Sequence, residues 1–128
     1  MPITWTISAA DRLVSARAEG IVTLKHVEAL LDDIVVRDAL QYRKLFDGRG
    51  ASGQYDDADV MSLGARMQAY NTLNLAGAAA IVVDTQERHD VALRFANIAK
   101  SKRPIRVFRD PAAARAWLDS DPKPDDTV

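Results

Sequence analysis

Apolar and polar positions alternate along the first twenty residues. Ile3, Trp5 and Ile7 are separated by threonines, the period of two that marks a strand. Ala9-Ala10-Asp11 reads as a turn. From Leu13 to Glu19, Val14, Ala16 and Ala18 fall on one face and Ser15, Arg17 and Glu19 on the other. That pattern predicts a half-buried second strand, in a hairpin with the first and broken by Gly20.

The period then changes to that of a helix. Thr23 suits an N-cap, and Leu24, Val27, Leu31, Ile34 and Val35 form one stripe, with Lys25, Glu28, Asp32 and Arg37 facing water. Tyr42 to Asp47 is a short third strand, followed by a glycine loop. A second helix begins near Asp57 or Asp59, because Asp56, Asp57 and Asp59 suit the positive end of a helix dipole. Its buried stripe is Val60, Leu63, Met67 and Tyr70. Ala78 to Asp84 is a continuous apolar run of strand length, the mark of a strand covered on both faces inside a parallel sheet.

Thr85 caps a third helix over Gln86 to Lys100, with Val91, Phe95 and Ile98 inward. Lys100, Lys102 and Arg103 crowd its C-terminal end, and Pro104 forbids continuation. Pro104 to Arg109 is the fifth strand. Asp110 at N-cap and Pro111 at N1 start a last helix that buries Trp117, with Leu118 beside it. The expected class is α/β: a mostly parallel five-stranded sheet with an N-terminal hairpin and four helices. Residues 1–119 form one domain, and 120–128 a flexible acidic tail.

Composition narrows the function classes. A net charge of -1 gives no global attraction to nucleic acid, and 6% aromatic content leaves few stacking platforms, so no nucleic-acid partner is expected. The absence of cysteine removes disulfides, thiolate catalysis and cysteine-ligated zinc, and fits a reducing cytoplasm. MPITWTIS has neither the basic start nor the apolar run of a signal peptide. No apolar stretch approaches the ~20 residues of a transmembrane helix, so no integral membrane segment is expected.

FDGRGASGQYDD, Phe46 to Asp57, places Gly48, Gly50 and Gly53 in the spacing G-x-G-x-x-G. A dinucleotide site needs the glycines to open directly onto a helix, with a carboxylate ~20 residues further on. Here Gly53 leads into Gln54-Tyr55-Asp56-Asp57, aspartates that would repel phosphate, and Met67 to Leu73 hold no carboxylate. No cofactor is expected. The segment reads as a mobile loop kept soluble by Arg49 and Ser52.

Other chemistry is thin. Asp84, His89 and Asp90 lie near one strand end but lack metal-ligand spacing, so no metal site is expected. His89 and Asp84 as an acid–base pair lack a nucleophile, since Thr85 is explained as a cap. Asp56, Asp57 and Asp59 lack EF-hand spacing. Lys100, Lys102, Arg103, Arg106 and Arg109 read as a solvated helix end and strand. The chain is therefore expected not to be an enzyme.

Four stretches carry a resemblance: AEGIVTLKHVEALLDDI, KLFDGRG, AAAIVVDTQERHDVALRFANIA and IRVFRDPAAARAWL. Through them the chain resembles the SpoIIAA-like family, relatives of the STAS domain within the fold shared with CRAL-TRIO lipid-binding domains. The resemblance covers about Ile3 to Leu118. It implies a compact four-unit β/α domain with an edge strand in front, acting without catalysis in binding or signalling through a protein partner. The alternative it implies is a carrier of a lipid or other small apolar ligand. A carrier needs a hollow behind the sheet, lined by residues such as Leu63, Met67 and Phe95. STAS relatives suggest a third role, a regulator switched by phosphorylation. Their acceptor follows the central strand in an Asp-Ser-Ser/Thr-Gly-like string, and Ser52-Gly53 stands in roughly that place, with Ala51 before it.

In open parallel sheets ligands bind beyond the carboxyl ends of the strands. That rule makes Asp47, Arg49, Ser52, Asp84 and Arg109 the candidate ligand- or partner-binding residues. The edge strand also leaves a homodimer open as an arrangement.

Overall fold

The computed structural model describes residues 2–53, 56–72, 77–99 and 104–122. The alternating start of the chain forms β1 (Ile3–Ser8) and β2 (Leu13–Val22), an antiparallel pair. There follow α1 (Leu24–Val36), β3 (Arg43–Gly53), α2 (Asp57–Thr72), β4 (Ala79–Val82), α3 (Gln86–Ala99), β5 (Ile105–Phe108) and α4 (Pro111–Asp119). The sheet order is β1-β2-β3-β4-β5, and β2 to β5 run parallel. The α/β class, the five strands and the four helices all match the sequence reading.

Because strands are added in chain order, crossovers of one hand return to one face of the sheet. α1, α2 and α3 accordingly pack on one face, against Val14, Ala16, Ala18, Ile105 and Val107. α4 covers the other, where Ala114 and Leu118 meet Leu13, Ala80 and Val82. The period-two reading of β2 holds: Val14, Ala16 and Ala18 are buried, while Arg17 and Glu19 are exposed.

Helix starts follow the expected caps. The Thr23 N–H donates to His26 Nδ1 at 3.0 Å, so a histidine takes the place usually held by an acid in a capping box. Asp56 accepts from the Asp59 N–H at 2.8 Å and donates its own N–H to the Asp59 carboxylate at 3.3 Å. Thr85 Oγ1 accepts from the Arg88 N–H at 3.2 Å, and Asp110 Oδ1 from the Ala112 N–H at 3.2 Å.

Several expectations need correction. Gly20 does not end β2; it adopts φ +73°, and the strand continues to Val22. The glycine segment is not a loop. It is the second half of β3, with Gly50 opposite Glu19, Ala51 opposite Gly20 and Ser52 opposite Ile21. The extended β2 presents backbone donors and acceptors there, and satisfying them outweighs the conformational freedom of glycine. The register shifts on the way. Arg17 faces Asp47 and Glu19 faces Gly50, so Ala18 stands opposite both Gly48 and Arg49, a β-bulge. On α1, Leu30 is buried and Val35 is 44% exposed, so the stripe turns one position away from that expected. On α4, Leu118 is fully buried, while Trp117 is half-buried with its ring 5.6 Å from that of Phe108. The expectations for Lys100, Lys102, Arg103, the Ile98 side chain and residues 123–128 lie outside the described residues.

Candidate functional site

The inner face of the sheet carries small side chains where it faces α2. Ala16 and Ala18 on β2, Gly48 and Ala51 on β3 and Ala79 on β4 leave the floor low. α2 forms a roof through Val60, Leu63 and Met67, and α1 and α3 supply walls that include Leu31 and Phe95. The space between is a cavity of about 490 Å³. That falls within the range of small-molecule sites, roughly 300–1,000 Å³. The roof is tied to both walls. Arg66 Nη2 on α2 pairs with Asp32 Oδ1 on α1 at 2.5 Å, and Arg94 on α3 pairs with Asp57 on α2.

The cavity's polar residues lie mostly at one end. Ser52, in the last residues of β3, lines it together with Thr85, Glu87 and Arg88, which lie beyond the carboxyl end of β4. Lys44 lines it near the start of β3 and is the one buried charged side chain among the described residues. Its Nζ donates to the carbonyls of Leu40 at 2.5 Å and Tyr42 at 2.7 Å.

The five candidate residues divide around this mouth. Arg49 holds Asp47 through two side-chain bonds, Nε to Oδ1 at 3.0 Å and Nη2 to Oδ2 at 2.9 Å. The hydrogen bond from Arg49 holds the Asp47 carboxyl below the usual aspartate range, against the opposing effect of partial burial. Arg88 Nη1 donates to the Arg49 carbonyl at 3.1 Å and to Asp84 Oδ1. The bulged end of β3 is thereby joined to the start of α3. Arg109 turns instead to Gln86 Oε1 at 3.0 Å, and Gln86 Nε2 donates to Asp90 Oδ1 at 2.8 Å.

Of the five, only Ser52 lines the cavity. Asp47 belongs to the opposite face, in a shallow recess with Thr4, Thr6 and Ser15. Ser52 sits within strand β3 and does not follow it. Asp84 and Asp90 are engaged by Arg88 and Gln86, and His89 Nδ1 is buried with no partner among the described residues. No group of three or more histidine or acidic side chains that could hold a metal occurs among the described residues.

Sequence reasoning missed Lys44 and Arg88. Lys44 was legible in principle, since alternation from Phe46 and Gly48 places it on the inner face. Arg88 carried the weaker signal of lying four residues after Asp84, in the first turn of α3. No protein-family model, curated protein or solved structure matches the chain.

Proposed function

We propose that the chain is a non-enzymatic binding domain that carries a small apolar molecule beneath α2. The observation that carries this reading is the cavity of about 490 Å³ with a largely apolar wall, in which Leu63, Met67 and Phe95 all take part. A closely packed core would have filled that space, since protein interiors contain few voids larger than a water molecule. Kinship with the SpoIIAA-like and STAS domains belongs to the same proposal. It is supported by strands added in chain order with three helices on one face. Docking of a protein partner is the second reading. The observation in its favour is the last turn of α1, where Val35 is 44% and Val36 82% exposed.

The test is binding of N-phenyl-1-naphthylamine, whose fluorescence rises in apolar surroundings. Saturable enhancement by the wild-type protein, lost in Leu63→Trp, is the expected result. A folded wild-type protein that gives no enhancement would overturn the proposal.

A further inference from the structure

We infer that the ligand is an amphiphile with a carboxylate head, its tail under α2 and its head against Arg88 at the mouth. The inference rests on the cavity reading above and adds the chemical class of the ligand.

Polar groups are unevenly distributed around the cavity. At one end, the Lys44 ammonium is directed to the carbonyls of Leu40 and Tyr42, and its methylene stem is what remains to line the wall. At the other end, Arg88 uses one corner of its guanidinium. Nη1 donates to Asp84 and to the Arg49 carbonyl, whereas Nε and Nη2 donate to nothing among the described residues. The Nε–Nη2 edge is the planar fork that takes a carboxylate through two parallel hydrogen bonds. The Arg88 side chain is 30% exposed, so a head bound there meets a partly desolvated cation. Ser52 and Thr85 add hydroxyls. Thr85 Oγ1 accepts from the Arg88 N–H, which leaves its own proton to donate.

The carboxylates around the mouth set the charge the head can carry. Asp47 is held by Arg49 and Asp84 by Arg88, while Glu87 lines the mouth, exposed and with no cation bonded to it among the described residues. A dianionic phosphate head would double its attraction to Arg88 but also its repulsion by Asp84 and Glu87, and two carboxylates against one guanidinium make that balance unfavourable. The charges at the mouth therefore favour the monoanion.

The experiment is calorimetric titration of the wild-type protein with dodecanoate, dodecanol and dodecyl phosphate. The variants are Arg88→Gln, Arg88→Lys and Glu87→Gln. Dodecanoate should bind about tenfold or more tightly than dodecanol, the worth of hydrogen bonds to a charged group. Arg88→Gln should erase that difference by weakening dodecanoate far more than dodecanol, with far-UV circular dichroism and thermal unfolding as the check that the variant folds. Arg88→Lys should keep only part of the preference, and Glu87→Gln should tighten dodecanoate. Equal wild-type affinities for acid and alcohol would overturn the head assignment and leave the cavity reading standing. Tighter binding of dodecyl phosphate than of dodecanoate would overturn the carboxylate assignment alone. Binding of none of the three would overturn the cavity reading and this inference with it.

Discussion

Lys44 donates through Nζ to the carbonyl of Leu40 at 2.5 Å, four residues back along the chain. With the bond to Tyr42 at 2.7 Å, this fixes the turn between α1 and β3. The side chain crosses an apolar face to do so, and only 8% of the residue is exposed. Lys44→Met would keep the stem and remove the donor, so the part-buried carbonyls of Leu40 and Tyr42 lose their charged partner. The expected cost is about 2 kcal/mol, the worth of hydrogen bonds to a charged group. Urea denaturation should show a lower midpoint with an unchanged slope.

The same turn makes a second demand. The Gly77 N–H also donates to the Leu40 carbonyl, at 2.9 Å. A Cβ on Gly77 would lie 2.5 Å from the carbonyl oxygens of both Gln41 and Tyr42, where backbone atoms cannot give way cheaply. Gly77→Ala should therefore destabilise by about 1–3 kcal/mol, the range for overpacked sites. Thermal unfolding would check it, and a variant with the wild-type midpoint would contradict the packing described.

Most of the architecture was legible because its signals are local. The alternation in β2, the aspartates ahead of α2 and the Asp110-Pro111 start of α4 each specify an element without help from the rest of the chain. The glycine segment was misread because its state is set by a distant partner. Nothing between Gly48 and Gly53 shows that Glu19 to Val22 run alongside. The candidate site was legible by edge but not by face. The rule about carboxyl ends led to Asp47, Arg49, Ser52, Asp84 and Arg109. It does not say which side of the sheet each side chain takes, so Ser52 was found in the cavity and Asp47 on the opposite face. The cavity itself is a sum of small residues on three strands, Ala16, Ala18, Gly48, Ala51 and Ala79, and becomes visible only once the register is known.

That origin leads to a prediction about filling. Ala79 lies on the cavity floor and is half-buried. Ala79→Leu would extend apolar atoms into existing space. Burying two or three further carbons at roughly 0.8 kcal/mol per CH₂ offsets much of the strain, so stability should stay within about 1 kcal/mol of wild type. Binding of N-phenyl-1-naphthylamine should fall severalfold in the same variant. A variant that unfolds at markedly lower temperature would show that this part of the floor is already tightly packed.

The bidentate pair of Arg49 and Asp47 makes a prediction about pH. Hydrogen bonding from Arg49 favours the ionised Asp47, so its folded pKa lies below the unfolded value. A group shifted in this direction contributes stability that is fully present above the unfolded pKa and is lost as pH falls through the folded one. The window lies below about pH 4, the ordinary aspartate range. The pair is partly exposed, with Arg49 at 44% and Asp47 at 21% side-chain exposure, so solvent screening keeps the contribution small. Carbon-detected NMR titration of the Asp47 carboxyl should give a midpoint below that of an unstructured aspartate. Arg49→Gln removes the charge and most of the bonding, and should raise that midpoint towards the ordinary value. Urea denaturation of Arg49→Gln should differ from wild type at pH 7 and converge with it as the pH falls below the folded pKa. A midpoint that does not move in Arg49→Gln would show that the pair does not govern this carboxylate.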